Sequence, residues 1–230
     1  MMLTKRLRTI ADLIDSCDVV ADIGTDHAYL PITLIEEQKA NFAYAVDVNK
    51  EPLEWAKKNI KQYNCQNKIQ TVLSNGLDFI LNEQIKEIDV VTICGLGSTT
   101  ILEIIKKDIH KVKKYAICSN TDVSNIREWV FEKKYSVVFE DYIIDAQKGY
   151  WVIVIEKNGL NLLTKKDIKF GNAKFFINNK EIISFYKKEI IKLEKILNNL
   201  NQEKHAETFN EINRKIVEIR NYLNEIKQDS

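Results

Sequence analysis

The sequence predicts an α/β chain, with a mostly parallel sheet covered by helices on both faces and a pair of long helices after it. Two observations carry this expectation. Short apolar, β-rich runs alternate with stretches of helical spacing through the first 157 residues, and after about Lys157 the rhythm becomes a seven-residue repeat.

The N-terminal stretch MMLTKRLRTIADLI is charged and helix-periodic, and it lacks the apolar run and small-residue cleavage site of a secretory leader. The expected strands are residues 18–23, 42–47, 69–74, 88–94, 114–119, 136–144 and 150–156. Amphipathic stretches such as PLEWAKKNI and TTILEIIKK separate the first five, so these strands need helical crossovers and should run parallel. Only DAQKG joins the last two, which read as an antiparallel hairpin closing one edge. Five parallel strands ending in a hairpin is the element order of Rossmann-like class I methyltransferases, although other doubly wound folds share the pattern.

A polar connector, NGLNLLTKKDIKFGN, leads into the helical pair. Ile183, Tyr186, Ile190, Leu193, Leu197 and Leu200 are spaced by alternating steps of three and four. Phe209, Ile212, Ile216, Ile219, Leu223 and Ile226 repeat the spacing. Each set is a heptad seam, and the short NQEKHAE link makes the helices antiparallel neighbours. The expectation is a C-terminal antiparallel coiled-coil hairpin, serving either to grip RNA or as a dimerisation or stabilising arm. The chain then divides into a catalytic domain (1–158) and a connector with hairpin (159–230).

Of the 230 residues, 45% are hydrophobic, enough for a sizeable core, and lysines and acids interrupt every apolar run before it reaches membrane-spanning length. A soluble cytoplasmic protein is expected. Cys17, Cys65, Cys94 and Cys118 are scattered without a CxxC pair, so neither a metal site nor a disulfide framework is expected. The net charge of +1 hides a split. From Gly159 onward there are 14 Lys and Arg against 10 Asp and Glu, and before it 20 against 23. Local basic clusters also occur at Lys5, Arg6 and Arg8, and along Lys106, Lys107, Lys111, Lys113 and Lys114. Phosphate contacts need local positive charge, so nucleic acid stays open as a partner.

The first strand ends in Asp22-Ile23-Gly24-Thr25-Asp26-His27. An acid and a glycine at this point lie where a nucleotide-like cofactor docks on an open sheet. A pyrophosphate would call for GxGxxG, whereas the single glycine and the extra acids Asp22 and Asp26 suit a cationic sulfonium and its ammonium group. That selects S-adenosylmethionine over NAD. Asp47 ends the second strand, where it could accept from both ribose hydroxyls or cap the next helix, with Val48 beside it. In SNGLD, Asn75 or Asp78 could read the adenine amino group, with Gly76 and Leu77 against the ring, or the segment is a turn with a helix cap. Cys94 and Gly95 end the fourth strand beside the expected methyl position. No base is evident to activate Cys94, so a structural thiol is expected there. His27 and Tyr29 could stack on a flipped-out base or be satisfied by neighbours.

DIGTDHAYLP, the acid ending the second strand, SNGLD, ICGLGS and the SNxxxxxxREWV stretch together resemble the bacterial TrmK family of tRNA (adenine-22-N1)-methyltransferases. The resemblance runs nearly the full length. It implies a Rossmann-like domain with a coiled-coil hairpin, S-adenosylmethionine as cofactor, tRNA as partner, and Asp26, Tyr29 and Asn120 as the groups acting on the base. The family's usual GMGG is Gly95-Leu96-Gly97-Ser98 here, and its Gln-Pro-Asn is Cys118-Ser119-Asn120, while Asn120, Arg127 and Trp129 match. These departures bear on substrate placement. The competing readings are a methyltransferase for a small molecule or protein and a non-catalytic RNA-binding protein on the same scaffold. Asp22, Gly24 and Asp47 argue against the second. The oligomeric state stays open, with a monomer favoured over a dimer.

Overall fold

Side chains alternate along a strand, so one strand feeds two cores. In the computed structural model, which describes residues 3–85, 87–159, 163–202 and 204–227, Val20 and Ala21 of strand β1 (Cys17–Ile23) go to opposite faces. On one face Val20 meets helices α1 (Lys5–Asp12), α2 (Tyr29–Glu36) and α3 (Lys50–Gln62) through Ile10, Leu34 and Ala56. On the other, Ala21 joins a core with α4 (Ser98–Ile105) and α5 (Ser124–Lys133) through Ile101, Ile105, Ile126 and Val130.

The remaining strands are β2 (Ala40–Asp47), β3 (Ile69–Leu73), β4 (Ile88–Cys94), β5 (Val112–Ser119), β6 (Ser136–Asp145) and β7 (Lys148–Glu156). Their sheet order is β3-β2-β1-β4-β5-β7-β6. The first five run parallel, as the helical crossovers require. The hairpin is antiparallel as expected, but its second strand lies inside the sheet, with β7 between β5 and β6. Ala146 and Gln147 both have positive φ (46° and 66°), the backbone of a two-residue turn matched to strand twist. Strand order proceeds outward in opposite directions from β1 and β4, which opens a crevice at their carboxyl ends.

The polar connector is more structured than its composition suggests. It contains α6 (Lys165–Phe170), started by a Thr164–Asp167 capping box, and Phe170 stacks on Tyr222 at 5.2 Å. The long helices are α7 (Lys180–Asn199) and α8 (Ala206–Ile226). They run antiparallel, since Asn178 N–H donates to the Ile226 carbonyl (2.8 Å) while Arg220 pairs with Glu194 (2.7 Å) further along. Seam residues Tyr186, Leu193, Ile216, Ile219, Leu223 and Ile226 are buried, whereas Ile190, Leu197, Phe209 and Ile212 are only half-buried. Ile182 and Tyr222, off the seam, are fully buried because they pack toward the sheet with Phe176 and Trp151.

One contact fastens this tail to the sheet. Arg127 of α5 and Glu140 of β6 are wholly buried, and Arg127 Nε donates to Glu140 Oε1 at 2.6 Å. The guanidinium also lies over Trp151 (5.1 Å), and Glu140 Oε2 accepts from the Asn172 amide (3.1 Å). Gly171, with φ +86°, lets the chain pass: a Cβ there would lie 2.6 Å from Phe176 and 3.0 Å from both ionic partners. Among the described residues, no helix is long and apolar enough to cross a membrane.

Removing one charge of a buried pair leaves the other uncompensated. Arg127→Ala should therefore destabilise the fold by about 3–5 kcal/mol, read as a lower midpoint in urea unfolding. Arg127→Met combined with Glu140→Leu should recover much of that loss.

Candidate active site

The crevice holds a cavity of about 330 Å³ lined by Ile23, Gly24, Asp47, Val48, Asn49, Ser74, Asn75, Gly76, Leu96, Thr100, Glu103, Ile104 and Lys107. Gly24, Asp47, Val48, Asn75 and Gly76 of the expected cofactor residues thus come together on its wall. Gly24 (φ +73°) and Gly76 (φ +62°) both hold backbone that side chains rarely adopt, and a Cβ on Gly76 would press on Ile104 at 3.1 Å. Gly24 and Thr25 amides both donate to the Val46 carbonyl (2.9 Å each), which pins the first loop to the end of β2.

Asp22 and Thr25 are buried behind this wall. Burial pushes Asp22 up to about 6, against the pull of the Thr92 hydroxyl, which donates to Asp22 Oδ1 at 2.6 Å. Asp47 is buried at the cavity edge, and its Oδ1 accepts from the Asn49 amide (2.7 Å). That leaves its other oxygen free of the turn. Asn49, not Asp47, stands at the N-cap of α3. Asp78 is committed elsewhere, since Lys107 bridges both its oxygens (2.8 and 2.9 Å) and the Asn75 carbonyl (3.3 Å). Leu77 points into the core below α4 rather than into the cavity.

The substrate side is built from three loops. Asn120 Nδ2 donates to the Gly95 carbonyl (3.1 Å) and its amide to Leu96 (3.1 Å), so Asn120 fixes the Cys94–Gly97 bend. Thr121 ties the same bend to α4 by accepting from the Ser98 amide (2.7 Å). Gly95 (φ +86°) has the Arg6 guanidinium 3.2 Å from where a Cβ would stand, and Arg6 donates to the Tyr150 hydroxyl (3.2 Å). Burial and the Asp22 carboxylate push the Cys94 thiol well above its ordinary range, which disfavours the thiolate.

Asp26 is exposed (80%) and faces His27 Nε2 at 3.1 Å. His27 and Ala28 both adopt left-handed backbone (φ 58° and 56°), a strained pair at the end of the cofactor loop. Asn59 of α3 steadies it by donating to the His27 carbonyl (2.9 Å). The His27 ring stacks on Tyr29 (5.3 Å, 18° between planes).

Sequence reasoning missed Arg6, Thr121 and the α4 wall. Thr100, Glu103 and Ile104 share one face of α4 and Lys107 follows in the turn after it, and those polar residues at helical spacing on an otherwise apolar segment were the available signal. Arg6 left no signal beyond its charge, because only tertiary packing brings it to Gly95. Among the described residues no group of His, Cys, Asp and Glu is placed to hold a metal ion.

Residues 3–153 match the family model described as a methyltransferase domain. The whole fold superposes on M. capricolum TrmK in complex with S-adenosyl-homocysteine, with a TM-score of 0.94 and 45% identity, covering 98% of this chain and 100% of that one. The chain belongs to the TrmK family. Another relative, the Bacillus subtilis tRNA (adenine(22)-N(1))-methyltransferase, is 31% identical over 159 residues, or 68% of this chain and 66% of that protein, just under two thirds of its length. A Streptococcus pneumoniae protein solved with S-adenosyl-L-methionine superposes with a TM-score of 0.83 at 29% identity, covering 96% of this chain and 100% of that one. The TrmK likeness therefore spans both the sheet and the helical pair.

The site fits a sulfonium nucleoside. Two carboxylates and two glycines surround the cavity, and its one lining cation, Lys107, is already held by Asp78. A cationic ligand favours ionised Asp22, so affinity for S-adenosylmethionine should climb as pH rises through about 6 and then level off. Titration calorimetry between about pH 5 and pH 8 reads this, and Asp22→Asn should flatten the rise. Without ligand the sign reverses: a carboxyl raised above its usual range favours the fold at low pH, and that contribution is lost as pH rises from the ordinary carboxylate range through about 6.

Proposed function

We propose that the chain methylates N1 of adenine in tRNA, at position 22, with S-adenosylmethionine as methyl donor. The observation that carries this reading is the glycine- and carboxylate-lined cavity at the reversal of strand order, set in a chain that aligns with TrmK from the sheet through both long helices. The names of the relatives supply the base and its position.

S-adenosylmethionine, when bound, supplies an electrophilic methyl group. Asp47 would hold the ribose through its free carboxylate oxygen, Asn75 and Gly76 would flank the adenine, and Gly24 would let the backbone approach closely. Asp22 would offset positive charge from behind the loop, with Val48 on the cavity wall and Thr25, Cys94 and Gly95 in the loops around it. Adenine N1 carries an in-plane lone pair, so the protein needs no strong base. Its work is alignment and the exclusion of water. The adenine becomes cationic, and Asp26, exposed beside His27, would face that charge once RNA covers it and removes the screening water. Tyr29 and Asn120 would hold the base, Asn120 by keeping the Gly95 bend in place. N1 lies on the pairing edge, so the target must leave its pairing before it can react. The α7–α8 pair and the basic clusters would meet phosphates of the tRNA body. A cytoplasmic monomer belongs to the same reading.

Incubation with labelled cofactor and an unmodified tRNA transcript, followed by nucleoside mapping, should place 1-methyladenosine at position 22. Label on another base, or on no RNA, would overturn the reading. Asp26→Asn should lower kcat by roughly tenfold or more with cofactor affinity intact, and a variant at full rate would remove Asp26 from its role.

A further inference from the structure

Trp55 stands on α3 with 47% of its surface exposed, while the chain's other tryptophans, Trp129 and Trp151, are each 3% exposed. Its ring lies 6.0 Å from His27, which in turn stacks on Tyr29, so rings from the loop, α2 and α3 form one ridge leading away from the cofactor loop. The ridge is held in place, because Asn59, one helical turn beyond Trp55, hydrogen-bonds the His27 carbonyl. Lys58 Nζ sits 4.3 Å over the indole and forms no ion pair among the described residues. Lys57 and Lys61 lie on the same helix.

We propose that Trp55 is a stacking platform for the nucleobase next to the methylated adenosine. The inference rests on the RNA reading above and extends it to a residue outside the cofactor cavity. An adenine that leaves its helix to expose N1 uncovers one face of its neighbour. An aromatic surface beside the target site covers that face without reading its identity, since every base has a π-face. Continuity with the loop that carries Asp26 and Tyr29 selects this occupant, and the charge agrees. A lysine resting on an exposed indole is weakly held. The incoming base displaces Lys58, whose ammonium then meets the adjoining phosphate.

Trp55 is the exposed indole, so its fluorescence reports on its own contact. Unmethylated tRNA added to wild-type protein should quench emission, and the quench should vanish in Trp55→Phe. Trp55→Ala should raise KM for tRNA roughly tenfold, with kcat and calorimetric affinity for S-adenosylhomocysteine unchanged, and Trp55→Phe should recover most of that loss. If wild-type protein methylates tRNA but shows no quench at saturating RNA, or if Trp55→Ala keeps its KM, the platform is refuted while the activity stands. If wild-type protein transfers no methyl group to tRNA, the RNA reading fails and the platform falls with it.

Discussion

An ion pair with no access to water holds the molecule's parts together. Arg127 comes from the last helix of the parallel half, Glu140 from the outermost strand, and Asn172 from the segment entering the helical pair. Burying two charges is costly, and here the cost is offset by a short hydrogen bond, an indole face and a backbone donor. The constraint propagates outward. Gly171 has to be glycine for the chain to pass the pair, Phe176 then fills the space beside Trp151, and Ile182 and Tyr222 follow into the same core. The helices are consequently an extension of the sheet's core instead of a tethered appendage.

The other half of the molecule is organised by the strand order. Reversal between β1 and β4 leaves their carboxyl ends uncovered, and every loop of the site springs from those ends or their neighbours. Within that crevice the loops are cross-tied, with Val46 holding the first, Asn120 and Thr121 holding the fourth, and Asn59 holding the strained His27–Ala28 pair. Such ties keep donors and carboxylates at fixed spacing before any ligand arrives, the form of preorganisation that alignment-based catalysis needs.

Much of this was legible in the sequence because the relevant signals are local. Each strand is a short apolar run, and Gly24 and Gly76 are marked by their place after strands. Asp22, Asp47 and Asn75 could be placed for the same reason, each ending or following a strand. What escaped depends on contacts between distant segments. Nothing near Arg6 announces Gly95, and nothing near Asp78 announces its capture by Lys107. The heptad seams marked the two long helices, but a repeat describes only one face. It could not reveal that Ile182 and Tyr222 turn toward the sheet. DAQKG showed a hairpin, yet a turn carries no information on which of its strands lies inside.

The placement of β7 inside the sheet has a consequence for synthesis on the ribosome. The unpaired side of β5 can be covered only by a strand made nearly 40 residues later, and β6, though translated first, has nowhere to join until that strand arrives. A nascent chain that stalls after β5 therefore presents an open, apolar strand edge, the feature most prone to pairing with another chain. Protection of the half-made protein is thus a matter of translation speed and chaperone access, and it ends only when Glu156 has cleared the exit tunnel.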